Sequence, residues 1–434
     1  MKKFLLVISV LMMGVNLGFS KVVINLWHAY RGAEADAINK VTEMFNLSHS
    51  DIEVKLLPVP FDAINNKLQT VIPAVNKGQS QEEGPDVFVF GQDFTGDWAE
   101  RQLILPLENF ISADVTKQYF KNTINAFADY MYDGALWALP GSFKNISLFY
   151  NKRFIANPPK KLSELMAISG KFTNPGDKKW GFSYDCGNFY YHTMWVQAWG
   201  GAIFKKIGTT KKGVPIFLPL LYSQPMISAG DFVYKNLKNG NFHGAAEAEI
   251  TYSFNNNKTL FAISGQWFRG EIAANIDYGV AELPIVDEIG VQAVPFLTVE
   301  GYFMASCTKD QAASAEVIKY FTSAAMGRYF GKIGKQTPAN KGAYQYPEVK
   351  NDPISKVFMA AAGNAISMPN NPEMALTWDP ASSGLSSVLN GANSAQTWKD
   401  QQIRLMKLIE KERKINYAKL GFDYTKFTVP LTIK

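Results

Sequence analysis

Three short stretches carry the side chains best suited to chemistry: "WHAYRGAEAD" at 27–36, "GQDFTGDW" at 91–98 and "SYDCGNFYY" at 183–191. Each mixes aromatic rings with Asp, Asn, Glu or Arg. That mixture suits a sugar, whose C–H faces stack on aromatic planes while its hydroxyls need polar partners. Phe, Tyr and Trp make up 13% of the chain, and most of them must fill cores. The exceptions to look for sit at predicted strand ends and turns: Trp27, Tyr30, Phe90, Trp98, Tyr190, Trp267 and Trp378. Around Trp378 the chain reads "MPNNPEMALTWDP". Its prolines limit backbone freedom, and the stretch is expected to be a stiff loop that sets a helix start and aims the indole outward.

Catalytic motifs are missing from the sequence. No phosphate loop, zinc-protease helix or nucleophile elbow of the usual spacing is present. The four histidines, His28, His49, His192 and His243, do not stand at metal-ligand spacing, and neither metal nor cofactor is expected. A carboxylate pair for glycoside hydrolysis needs only proximity in space, so a secreted glycan hydrolase stays as an alternative. Asp93 reads either as a ligand contact or as the N-cap of a helix beginning in "FTGDWAERQL". Tyr190 and Tyr191 allow a paired-tyrosine iron site.

The elements that must position these residues follow from periodicity. "KVVINLW", "DIEVKLLPV" and "GPDVFVF" are short apolar runs with β-branched residues, hence buried strands. Between them lie "GAEADAINKVTEMFNLSHS" and "DAINNKLQTVIPAVNKG", which show helical periodicity. The βαβαβ order predicts a parallel sheet with helical crossovers. Ligands of such sheets bind beyond the carboxyl ends of the strands, which singles out the loops after Leu26, Leu57 and Phe90. Downstream, "KWGFSYD" is a strand and "FYYHTMWVQAWGGAIF" is helix-compatible. "TLFAISGQWFRGEI" reads as strand, glycine turn and helix, and a helix after "NPPKKLSEL" is expected to take Ser163 as its cap. "KDQAASAEVIKYFTSAAMGRYF" reads as one amphipathic helix and "SAQTWKDQQIRLMKLIEKERKI" as another. The tail beyond Asn416 has no assigned role.

The chain of 434 residues is long enough for two or three domain-sized units. Residues 1–20 read as a secretory signal peptide, with Lys2 and Lys3 before a short apolar run. No cysteine follows that run, so a periplasmic protein without a lipid anchor is expected. Without Lys2 and Lys3, 42 basic residues face 38 acidic ones, a modest balance with no nucleic-acid footprint. Cys186 and Cys307 are expected as free buried thiols in different lobes.

In their order, "INLWHAY", "GPDVFVFGQDFTGDWAERQLILPL", "ALPGSFKNISLFYNKRFIANPPK", "WVQAWGGAIF", "LFAISGQWFRGEI", "DYGVAELPIV" and "MPNNPEMALTW" resemble the family-one extracellular solute-binding proteins of ABC importers, the maltose-binding protein relatives. The resemblance runs over nearly all of the mature chain. It implies an α/β, two-lobed periplasmic-binding fold of type II, with crossover strands, a hinge and ligand in the cleft. The N-terminal lobe would take residues 21–142 and 297–345, and the C-terminal lobe 143–296 and 346–434. The protein would act as a monomer that captures a sugar or oligosaccharide and delivers it to the permease subunits of an importer. The matching positions give a binding site of Trp27, His28, Arg31, Phe90, Asp93, Lys144, Asp185, Asn188, Tyr190, Trp267 and Trp378. Two departures stand out: Phe94 replaces an arginine beside the aspartate, and Lys144 replaces an acid near the hinge. They point away from maltose itself toward another saccharide. Lys144 with Arg31 also admits an acidic or phosphate-bearing solute, such as glycerol phosphate or a uronate. A polyamine or iron is a further option in the same fold.

Overall fold

The computed structural model describes residues 21–128, 135–210 and 213–431; the signal-peptide reading of residues 1–20 lies outside them. The three apolar runs form β1 (Val22–His28), β2 (Ile52–Pro58) and β3 (Val87–Gly91). The helices α1 (Gly32–Ser48) and α2 (Phe61–Asn76) connect them, and α3 (Thr95–Glu100) follows β3. As the βαβαβ pattern requires, β1 pairs in parallel with both β2 and β3. The long strand Phe296–Ala305 then joins β3 antiparallel on one side and Ala138–Lys144 on the other. Together with Thr337–Pro338 at the edge, and with Ile104–Leu105 and Ile366–Ser367 paired to the ends of the long strand, these make the eight-stranded first sheet.

A second, five-stranded sheet runs in the order His243–Gly244, Trp180–Tyr184, Thr259–Gly265, Ile146–Asn151, Tyr278–Ala281. Each sheet has its own apolar core. The first core ends at Phe143 and resumes at Leu297, while Ile146 and Phe296 already belong to the second. The chain therefore crosses between lobes at Asn145, inside the strand Phe296–Ala305, and again between Ala339 and Met368. Asn145 is fully buried at its crossing: its N–H donates to Gln266 Oε1 and its Nδ2 to the Phe358 carbonyl. Hydrogen bonds of this kind are needed wherever irregular backbone is buried.

Several local expectations are corrected. Ser163 is not a cap. The helix Leu162–Phe172 starts from Lys161, and the Ser163 N–H and hydroxyl both donate to Asp287. The run at 309–330 is two helices, Gln311–Phe321 and Ala324–Lys332. The Thr322 hydroxyl donates back to the Ile318 carbonyl at the end of the first, and Ser323 caps the second. After the strand Thr259–Gly265 there is only one 3₁₀ turn, Gln266–Gly270. Trp378 stands within the helix Pro372–Leu389, with Asn371 at its N-cap and Pro372 at its first position, rather than on a loop. The tail folds back on the second lobe. Tyr417 is fully buried and donates to the Phe217 carbonyl, and the Leu431 N–H donates to the Tyr222 carbonyl. Cys186 and Cys307 are both free, one buried in the second lobe and one half-buried beside the first.

Candidate functional site

A cleft of about 560 Å³ opens between the two sheets, within the range of about 300–1,000 Å³ usual for small-molecule sites. The three loops at the carboxyl ends of β1, β2 and β3 line it. They supply Tyr30 and Arg31, then Phe61, Asn65 and Asn66 from the start of α2, then Phe90, Asp93 and Phe94. The second lobe contributes Asn188, Tyr190 and Tyr191 at the start of the helix Phe189–Ala198, together with Glu247, Trp267 and Trp378.

The rings form two groups. Phe90 lies stacked under Phe61, with centroids 5.0 Å apart at 18°, and Phe61 stays 58% exposed at the cleft wall. Across the cleft, the Trp267 indole lies on Gly265, where a Cβ would collide with the ring. A glycine is required there because the indole occupies the side-chain position. Tyr190 stands beside Trp267 at 6.3 Å and donates to or accepts from Thr298 at 3.1 Å. Trp378 projects from the second turn of its helix. Its Nε1–H donates to Asp93 Oδ2 at 2.9 Å, joining an indole of one lobe to a carboxylate of the other. Asp93 is buried, and burial pushes its carboxyl up to about 6, against the opposing pull of its hydrogen bonds. It is not a helix cap: Phe94 precedes α3, and Asp93 lies in the 3₁₀ turn Gln92–Phe94.

Two cations stand in the cleft wall, and each is held by two glutamates. Lys144 Nζ lies 2.8 Å from Glu34 Oε1 and 2.8 Å from Glu300 Oε1. All three are nearly enclosed. Burial alone would lower the Lys144 pKa, but the charges of Glu300 and Glu34 outweigh it and raise it above the ordinary lysine value. Gln336 donates to Glu34 and Ser142 to Glu300, so the carboxylates are further satisfied. Arg31 reaches from the first lobe to the second, placing Nη2 3.0 Å from Glu247 Oε2 and Nε 2.8 Å from Glu271 Oε1.

Of the residues expected from sequence, Arg31, Phe90, Asp93, Lys144, Asn188, Tyr190, Trp267 and Trp378 come together in the cleft lining. Trp27, His28 and Asp185 do not line it. Trp27 is buried in the first core, with Lys67 Nζ over its ring at 4.9 Å. His28 is buried too, and its Nδ1 accepts from the Tyr30 N–H at 3.2 Å. Burial lowers its pKa to about 4, so the ring is neutral. Asp185 stands on the loop before the helix Phe189–Ala198, where its carbonyl accepts from the Asn188 N–H, and burial raises its carboxyl pKa. Tyr190 and Tyr191 do not share a focus. Their rings stand at 89°, and the Tyr191 hydroxyl donates toward Glu247 rather than beside Tyr190. Sequence reasoning missed Glu34, Glu300, Glu247 and Phe61, and considered Tyr191 only as an iron ligand. Glu300 did leave a signal: it is a lone acid in the apolar run "FLTVEGYFMAS", and a buried charge needs a partner.

A family model described as bacterial extracellular solute-binding protein matches residues 40–357. A maltotriose-binding protein of Pyrococcus abyssi is 26% identical over 395 residues, covering 87% of this chain and 79% of the relative. A galactooligosaccharide-binding protein of Bacillus subtilis is 25% identical over 379 residues, covering 85% of each chain. Among solved structures, the maltotriose-binding protein of Thermus thermophilus bound with maltotriose superposes with a TM-score of 0.79 at 22% identity. That match covers 89% of this chain and all of the other, and it is a likeness of fold.

Proposed function

Because the chain belongs to the bacterial extracellular solute-binding proteins, we propose that it captures an uncharged oligosaccharide between its lobes and hands it to an ABC importer. The carrying observation is the double neutralisation of both cations in the cleft wall: Lys144 by Glu34 and Glu300, Arg31 by Glu247 and Glu271. A phosphate or uronate would need a cation free to receive it. Here it would meet an excess of carboxylate, with Asp93 adding to it. Aromatic faces beside acid and amide groups suit sugar C–H surfaces and hydroxyl donors instead. The maltotriose- and galactooligosaccharide-binding relatives favour the same class.

In this reading Trp267 and Trp378 are the stacking platforms of the second lobe and Phe90 with Phe61 that of the first. Asp93, Asn188 and Tyr190 take hydroxyls. Lys144 shapes the floor without offering a free charge. The lobes divide close to the expected bounds after residues 142, 296 and 345, with Phe143 and Lys144 on the first-lobe side of the crossing at Asn145, and closure is a hinge motion about the crossings. The protein is exported and works in the periplasm. In this reading it binds rather than hydrolyses: the family and the relatives are binding proteins, and Glu34 and Glu300 are both engaged by one lysine.

Isothermal calorimetry with maltotriose and a galactooligosaccharide tests the ligand class. Micromolar affinity, about 8 kcal/mol, is the expected result for at least one of them, and no heat from either would contradict it. Chromatography after prolonged incubation should return each saccharide intact; released shorter sugars would reinstate the hydrolase.

A further inference from the structure

Glu247 makes contacts with both lobes. It sits at the first position of the helix Glu247–Asn255 in the second lobe. Its Oε1 accepts from Trp267 Nε1–H, from the Ser264 hydroxyl at 3.1 Å and from the Tyr191 hydroxyl at 3.4 Å. Its Oε2 faces the other lobe and accepts from Arg31 Nη2 at 3.0 Å. Glu271 continues this second contact, with Oε1 on Arg31 Nε and Oε2 accepting from the Thr251 hydroxyl. Beside the ion pairs the two backbones also meet. Gly32 holds φ +51°, a left-handed turn that glycine takes readily, and directs Ala33 at Gly270. A Cβ on Gly270 would lie only 2.9 Å from the Ala33 Cβ. Two glycines thus let the lobes touch where Arg31 crosses.

From this we propose that Glu247 is a positioning residue that couples the orientation of the Trp267 indole to contact between the lobes. One carboxylate oxygen holds the indole N–H. The other is held by Arg31 only when the lobes meet. Contact between the lobes therefore fixes the carboxylate, and the fixed carboxylate fixes the platform on which the ligand stacks. A ligand that stacks on Trp267 favours the arrangement in which Arg31 is paired, because each of the two contacts stabilises the other. Gly265 makes the arrangement possible by leaving room for the indole against the backbone, where a Cβ would meet the ring. The inference rests on the saccharide reading for its ligand, but not for its geometry.

The test compares E247Q, E247A and R31A with the unmodified protein. Three readouts are taken: maltotriose affinity by calorimetry, ligand-free radius of gyration by X-ray scattering, and the Trp267 indole N–H resonance by NMR. Glutamine keeps an oxygen for the indole and removes the charge that faces Arg31. E247Q and R31A should therefore behave alike, each weakening maltotriose about fivefold and enlarging the ligand-free radius, while E247A weakens it about fiftyfold. The indole resonance should shift strongly in E247A and little in E247Q. R31A combined with E247Q should be no worse than either alone. Equal effects of E247Q and E247A, an unmoved indole resonance in E247A, or additive losses in the double variant would overturn the coupling. If the unmodified protein fails to bind maltotriose, the ligand class is wrong. The resonance and the radius then still decide the coupling, because both are measured without ligand.

Discussion

The cleft wall uses one arrangement twice, a single cation held by two glutamates, and the two copies do different things. The Lys144 centre lies wholly in the first lobe, with side-chain exposures of 9% for Lys144, 9% for Glu34 and 15% for Glu300. The Arg31 centre joins the lobes, and Arg31 itself is 57% exposed. Burial makes the first a permanent part of the fold, since opening it would strand two carboxylates away from water. Exposure makes the second reversible, since water replaces each partner at little cost. The same three charges are thus a foundation in one place and a separable contact in the other. A third such centre, Arg413 with Glu100 and Glu373, joins the lobes yet is largely buried, so exposure rather than lobe membership separates the two cleft centres.

The difference can be broken at either end. The largest effect is expected at the foundation. Lys144→Ala leaves Glu34 and Glu300 buried without their cation and should cost about 3–5 kcal/mol of stability in denaturant unfolding. A loss below 1 kcal/mol would mean the triad is no more than a surface pair. Next comes the platform that the separable centre supports. Trp267→Ala, and likewise Trp378→Ala, should weaken maltotriose by about 2 kcal/mol, near thirtyfold, with the unfolding midpoint nearly unchanged. A collapsed midpoint with intact affinity would return either indole to the core.

A smaller effect comes from pH. The Asp93 carboxyl is raised to about 6 by burial in the ligand-free protein. Between the ordinary aspartate value and 6 the folded state holds a proton that the unfolded chain has lost, so this contribution to stability fades as pH rises through 6. Sugar hydroxyls donate more strongly to the ionised form than to the neutral acid, so maltotriose affinity should rise over the same window, and binding at pH 6 should release protons. Calorimetry in buffers of different ionisation heat measures that release, and Asp93→Asn should abolish it. The smallest effect is Arg31→Ala on stability, expected under about 1 kcal/mol and reduced further by salt. A loss matching that of Lys144→Ala would erase the distinction between the two centres.

The sequence made the scaffold readable where physics is local. Strands β1 to β3 announced themselves as apolar runs, and the rule for carboxyl ends of parallel strands located three of the cleft loops before any coordinates. Trp27 and His28 fell outside the cleft because proximity to a strand end does not set which way a side chain points. Both are buried in the first lobe, one beneath Lys67 and one capping its own turn. Lys144 was legible through the family resemblance, as a departure near the hinge, but not its partners. Glu34 and Glu300 are far away in the chain and meet it only through the sheet order. The same blindness made Lys144 and Arg31 look like receptors for an acidic ligand. Trp378 was identified correctly as a residue of interest and placed wrongly on a loop, because Pro372 marks a helix start as readily as a loop.

The most direct test of the account is a head-to-head calorimetric titration of maltotriose and glycerol 3-phosphate at neutral pH. With both cleft cations already paired to glutamates, maltotriose should bind with micromolar affinity, about 8 kcal/mol, and glycerol 3-phosphate should neither bind nor compete. Tighter binding of glycerol 3-phosphate, or its displacement of maltotriose, would show that Lys144 or Arg31 is free to take an anion and would contradict the account.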